Sequence, residues 1–259
     1  MSWADGPLVG FDTETTGVDV ATDRIVTVAV VRRHGAGTAT RTWLVDPGVP
    51  IPEEATAVHG ITTEHARAHG REPRGALDEV ATLLAAGLAR GEPLVAFNAT
   101  FDLSLLDAEL RRHRLATLPE RLGRSVRGVV DPLVLDRWVD RYRPGKRRLG
   151  DVAAHYGVVT GALHAADADV LATLGVLAAM CERYPGLPRT DLGWLHDAQA
   201  RAHRRWAESF NAWRAGQGLD GHGAELTWPL RPLGPLGPAV PAGTLPATVP
   251  ELVPEPAIA

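Results

Sequence analysis

The sequence is short of cysteine, of lysine and of long apolar runs. Its one cysteine, Cys181, rules out an intrachain disulfide and suits a reducing compartment. Lying in a helical pattern, Cys181 reads as a small buried apolar residue rather than a reactive thiol. No run of roughly 18 apolar residues is present, so no membrane span is expected. The opening "MSWADGPLVG" has neither a basic stretch nor an apolar core, so a cytoplasmic location is expected rather than a secreted one. A formal net charge of −4 excludes a protein that coats nucleic acid by bulk attraction, but not one that grips a strand end. Lys146 is the sole lysine. Arginine in its place, with abundant Ala, Gly and Pro, reflects a GC-rich genome rather than a mechanism.

What is present is a chain of 259 residues, 45% hydrophobic, enough for one substantial domain and an appendage. Three extended segments come first: Leu8–Asp12, Arg24–Arg33 and Thr38–Asp46. "DPGVPIPEEA" reads as a turn-rich connection, and Thr62 or Thr63 can cap a short helix. Leu77, Val80, Leu83, Leu84 and Leu88 mark an amphipathic helix over Gly75–Arg90. Short strands at "PLVAFN" and Gly128–Asp131 each feed a helix, the second over Leu133–Tyr142. Further helices are expected over Leu149–Tyr156 and Ala165–Arg183. The order predicts an α/β layered domain with a mixed sheet.

The chemistry begins at "PLVGFDTETTG". Residues two apart on a strand share a face, so Asp12 and Glu14 set two carboxylates side by side, with Thr13 turned away. Charges of one sign that close repel, and a divalent cation is the natural remedy; solvation or hydrogen bonding at a strand end is the plain alternative. In "FNATFDLSLL", Asp102 falls in the first turn of a helix that follows a strand. An acid there is favoured by the helix dipole, yet open α/β sheets gather their sites at that place. In "LHAADADVLATL", His164 and Asp169 are five apart, so His164 belongs to the loop and Asp169 to the helix behind it. Asp167 reads as a solvated first-turn charge.

Together and in this order, the segments resemble the DEDDh 3′–5′ exonucleases, the DnaQ-like superfamily that includes the proofreading epsilon subunit of bacterial DNA polymerase III. "FDTETTG" is similar to the first motif, "FNATFD" to the second and "HAADAD" to the third, with "AVHGIT" similar to a short segment between the first two. The resemblance covers Leu8 to Arg183. It implies a ribonuclease H-like three-layer fold, a mixed central sheet flanked by helices. It implies that Asp12, Glu14, Asp102 and Asp169 hold two divalent cations, Mg²⁺ or Mn²⁺, and that His164 is the general base. Hard oxygen donors suit those ions, and an imidazole can take a proton from water. It also implies that Thr15 and Thr16 cradle the terminal nucleotide and that His59 reaches its sugar-phosphate. Asn98 and Phe101 would line the same cleft, Phe101 by stacking on a base or by core packing. Phe97 stands where the second motif often has a histidine, a departure that bears on substrate contacts.

The implied activity is release of nucleoside monophosphates from 3′ ends, of DNA in proofreading or repair. RNA trimming is the alternative within the superfamily, and a catalytically silent nucleic-acid-binding or assembly module the alternative outside it. "RYRPGKRR" holds five positive charges in eight residues and either grips backbone upstream of the scissile bond or is a solvated loop. The expected organisation is an exonuclease domain over 1–186, a helical extension over 187–218 and a disordered tail over 219–259. The extension carries a helical pattern over Leu192–Arg214. From Pro229 onward there are nine prolines and three charged residues, a composition that cannot form a packed core. That helix and tail are the expected tether to a DNA polymerase or another protein.

Overall fold

The computed structural model describes residues 2–161, 164–221 and 223–233. Three strands, β1 (Leu8–Thr15), β2 (Ile25–His34) and β3 (Gly37–Leu44), form an antiparallel meander. The chain then makes α1 (Glu53–His59), α2 (Thr63–His69) and α3 (Pro73–Ala89) before β4 (Leu94–Val95) returns parallel to β1. After α4 (Ala99–Arg112) and α5 (Leu118–Leu122), β5 (Val129–Val130) pairs parallel with β4. The sheet order is β3-β2-β1-β4-β5. The last helices are α6 (Pro132–Val139), α7 (Leu149–His155), α8 (Ala166–Arg183) and α9 (Leu192–Gly216).

Alternation along β1 explains the layers. Val9 and Phe11 join Val28, Leu77, Leu84, Leu103 and Leu106 in a core beneath α3 and α4. Leu8 turns the other way and joins Val31, Val130, Val170 and Leu174 beneath α8. Gly10 shares that second face, where a Cβ would stand 2.3 Å from Val170 Cγ1. The missing side chain lets α8 lie close on β1, which brings the first turn of α8 to the end of the strand that carries Asp12. The mixed sheet between two helical layers is the expected three-layer architecture.

Several boundaries differ from expectation. β1 runs on through Thr15, so Glu14 is paired, opposite Thr27, rather than beyond the strand. The stretch read as a turn-rich connection yields α1, capped by Pro52 without a side-chain hydrogen bond. The expected helix to Tyr142 stops at Val139, because the loop after it folds back on buried Asp136. The tail does not begin at 219 as a free segment. Trp228 is 8% exposed, and Arg231 N donates to Ser104 Oγ at 2.8 Å, so the chain to Leu233 is held against the domain. The remainder of the expected tail, 234–259, lies outside the described residues. No helix among the described residues is long and apolar enough to cross a membrane.

Candidate active site

The carboxyl ends of β1, β4 and β5 open onto a cleft of about 380 Å³. Asp12, Glu14, Asp102, His164 and Asp169 all line it, with Phe97, Asn98 and Phe101. Oxygens of Asp12, Glu14 and Asp169 lie within 4.8 Å of one another. Asp102 reaches the strand end from the opposite layer. Its Oδ1 accepts Thr13 Oγ1 at 2.7 Å and Thr13 N at 3.2 Å. Thr13, turned away from the acid pair as its strand position requires, is therefore the latch that brings α4 to β1. The three-acid cluster and Asp102 share one cleft but approach it from two faces of the sheet.

Among the described residues, no basic side chain is paired with these acids. Burial lifts the Asp12 carboxyl well above its ordinary range, and Asp102, Asp169 and Glu14 push it further. Burial, with Asp169, raises Glu14 to about 7. Burial raises Asp102 to about 7 despite the hydrogen bonds from Thr13. Asp169 is also raised, by burial above all, with the His164 N–H in opposition. Charge of one sign, withdrawn from water and left without a counter-ion, is the condition a divalent cation relieves. All the donors are hard carboxylate oxygens, the set that Mg²⁺ and Mn²⁺ favour.

His164 adopts a φ of 75° on the loop before α8. Its backbone N–H donates to Asp169 Oδ1 at 3.3 Å. This bond explains the five-residue spacing, since the acid one turn into the helix reaches back to the loop and holds the histidine at the cleft mouth. The imidazole lines the cleft and also an adjoining hollow shared with Glu14 and His59.

The expected substrate contacts divide. Asn98 and Phe101 line the acid cleft, and half-buried Phe101 also packs on the core beneath α4. His59 lies in the adjoining hollow, its Nδ1 accepting from Ile61 N at 3.1 Å. Thr15 and Thr16 line neither. Thr16 is buried, with its hydroxyl donating to Asp23 Oδ1 at 2.8 Å and accepting from Arg24 N at 3.0 Å. Thr15 donates to Gly17 O at 2.6 Å. Both hydroxyls shape the loop that follows β1.

Two features of the surroundings carried no signal in the local sequence, and a third draws on arginines of the basic stretch already singled out. Asp131, at the end of β5, accepts Asn98 N at 3.1 Å, Ala99 N at 2.9 Å and Leu133 N at 3.0 Å. One carboxylate thus ties together the starts of α4 and α6. From behind, Gln199 of α9 accepts Asp131 N at 2.8 Å, and Trp228 Nε1 donates to Asp131 Oδ2 at 3.3 Å. The C-terminal helix and strap therefore brace the floor of the cleft. Arg137, Arg147 and Arg148 supply a cationic wall opposite the acids. Within "RYRPGKRR", Arg143 and Arg147 are not free loop charges, since both bond Asp136.

Over residues 9–177 the chain matches the sequence model of the RNase_T family, described as an exonuclease. It is 31% identical over 168 residues to the PolC-type DNA polymerase III of Streptococcus thermophilus, covering 64% of this chain and 10% of that protein. Against the PolC-type enzyme of Lacticaseibacillus paracasei the identity is 30% over 179 residues, covering 68% and 11%. Among solved structures, exonuclease I matches with a TM-score of 0.60 at 21% identity, over 77% of this chain and 44% of that one. The Escherichia coli exonuclease I complex with a dT13 oligonucleotide matches with a TM-score of 0.59, also at 21% identity, over 70% and 42%. The chain thus spans about a tenth of the polymerases and under half of exonuclease I, and the structural likeness is one of fold. By its matched sequence and by the motifs of its own cleft, the chain belongs to the RNase_T family of exonucleases, within the DnaQ-like 3′–5′ group.

Proposed function

We propose that the protein is a divalent-metal-dependent 3′–5′ exonuclease that removes nucleoside monophosphates from the 3′ end of single-stranded DNA. The observation that carries this reading is the convergence of Asp12, Glu14 and Asp169 within 4.8 Å, with no cationic side chain paired to them among the described residues, beside His164. The dT13 complex of exonuclease I and the DNA polymerase relatives favour DNA over RNA as substrate.

Asp12, Glu14, Asp102 and Asp169 are the residues that would hold the cations, two of them by analogy with the family. Bound Mg²⁺ or Mn²⁺ would supply charge neutralisation at the phosphodiester and would acidify a coordinated water. The chain's own side chains do the rest. His164, at the cleft mouth, accepts the proton of the attacking water at its imidazole nitrogen and returns it to solvent. Thr13 orients Asp102, and the His164 N–H orients Asp169, so neither carboxylate has to be positioned when substrate arrives. Phe101 and Asn98 seat the terminal nucleoside, Phe101 by offering a ring face to the base. His59, on the far side of Glu14, meets the terminal sugar-phosphate. The protein acts in the cytoplasm, in replication or repair.

The test is degradation of 5′-labelled DNA and RNA 16-mers with MgCl₂ or MnCl₂, with Asp12→Asn as the inactive control. A ladder that shortens from the 3′ end of DNA, absent in EDTA and in the variant, is the expected result. Cleavage confined to the interior, or a faster ladder on RNA, overturns the reading.

A further inference from the structure

A second hollow, also of about 380 Å³, adjoins the acid cleft and is lined by Arg137, Arg141, Arg147, Arg205, Trp138 and Trp206. Arg137 and Arg147 belong to both linings, so the two spaces meet at a shared wall. Among the described residues no acid lines the second hollow, in a chain whose net charge is −4. Its floor is α6 and its far side is α9.

Three of the four arginines there, Arg137, Arg141 and Arg205, differ from most others in the molecule and from the fourth, Arg147. Arg143 and Arg147 bond Asp136, Arg112 bonds Glu109, and Arg204 on the outward side of α9 pairs with Glu208. Arg137, Arg141 and Arg205 make no side-chain hydrogen bond or ion pair among the described residues. The Arg137 guanidinium instead lies 3.5 Å from the centre of the Trp206 ring. This contact fixes the cation and leaves its N–H groups free for an incoming acceptor. Burial also draws Arg137 down to about 10, with Arg147 adding to the fall and the charges of Asp131 and Asp136 only partly opposing it.

The aromatic side continues the same pattern. From Trp206, Phe210 is stacked at 5.4 Å with an interplanar angle of 16°, and Trp213 follows at 5.8 Å. The spacing of four and three residues places the rings in one row along α9. The packing of α9 on the domain is made elsewhere, by Leu195, Ala198, Gln199, His203 and Ala207, all buried. Trp213 is 55% exposed. A row of partly exposed rings beside unpaired guanidinium groups suits a chain that alternates flat bases with phosphates.

We propose that this hollow is a second nucleic-acid subsite, which holds the single strand upstream of the scissile bond. Arg137 is the gateway and takes a phosphate as the strand leaves the acid cleft. A base stacks on the Trp206 side of α9, and Arg141 and Arg205 take the next phosphates. The inference rests on the exonuclease reading for what occupies the acid cleft. It adds that α9 is a substrate-binding element, and that efficiency rises with strand length until the hollow is filled.

The experiment uses the full chain and an Arg141→Gln/Arg205→Gln double variant, with Arg189→Gln as a remote single-charge control. Arg189 is exposed, next to Pro188, whose carbonyl accepts Ser2 Oγ near the opposite end of β1. Two quantities are read: kcat/KM on 5′-labelled dT12 relative to dT3, and the salt dependence of dT12 binding by anisotropy in EDTA. The wild type and the control should prefer dT12, and the double variant should lose that preference at least fivefold. Its log K against log salt slope should fall by about 1.4, roughly 0.7 for each phosphate that is no longer neutralised. Trp206→Leu should weaken dT12 binding while leaving the slope in place. Equal preference and equal slope in the wild type and the double variant overturn the subsite. If the wild type degrades dT3 and dT12 alike and the double variant matches it, the subsite falls while the exonuclease reading stands. If the wild type binds dT12 through these arginines yet shortens nothing, the subsite stands and the exonuclease reading falls.

Discussion

Two acidic regions, one fully buried and one partly open to the cleft, lie at neighbouring places in this fold and are treated in opposite ways. Asp136, on α6, is fully buried and meets Arg143 and Arg147, with Tyr156 Oη donating to its Oδ1 at 3.0 Å. Burial alone would raise that carboxyl, but the two guanidinium groups outweigh it and hold Asp136 below the ordinary range. Among the described residues Asp12, Glu14, Asp102 and Asp169 have no such partners, and all four are raised. Desolvation raises the carboxyls in both regions; the counter-charge decides which way each ends. On the proposed function, the clustered acids that the protein leaves without counter-charge are the ones that receive it from a bound cation.

The contrast can be broken by substitution. Asp12→Asn should cut turnover on single-stranded DNA by roughly three to four orders of magnitude, about 5 kcal/mol of barrier. Its melting temperature in EDTA should hold or rise, because a repelling carboxylate has gone. Asp136→Asn should do the reverse: unfolding in urea should show a loss of about 4 kcal/mol, since two arginines are left facing an uncharged amide. His164→Ala should lower kcat roughly a hundredfold, with the Mn²⁺-induced rise in melting temperature kept.

The smallest effect is one of pH. Glu14 and Asp102 titrate near 7 in the fold, against ordinary carboxyl values near 4 in the unfolded chain. A raised folded-state value lends stability that is full below about pH 4 and is lost as pH climbs through 7. In EDTA the wild type should therefore lose melting temperature relative to Glu14→Gln between pH 5 and 7.5. Mn²⁺ should reverse the trend by binding the ionised form.

The part of this contrast that is written locally was legible in the sequence. Strand period two set Asp12 and Glu14 on one face. The five-residue gap from His164 to Asp169 separated a loop residue from a helical one. Three antiparallel strands followed by strand–helix units gave the mixed sheet. What stayed hidden was set by tertiary pairing. Nothing around Asp136 announces that a loop seven and eleven residues on will return two arginines to it. Nothing near Asp131 reveals that Trp228, almost a hundred residues away, will bond it. Proline content made the whole C-terminal stretch look free, because composition averages over the one tryptophan that anchors its first part. Asp102 was correctly placed at the cleft, but its approach from the opposite layer, latched by Thr13, follows from the packing of α4 and not from any motif.

The most direct test is calorimetric titration of MnCl₂ into the 259-residue chain at pH 7.5, beside Asp12→Asn. Saturable binding by the wild type, with proton release that grows as pH is lowered toward 6 and with loss of that binding in the variant, is the result this account predicts. A wild-type chain that takes up no Mn²⁺, or that binds it as well without the Asp12 carboxylate, would contradict it.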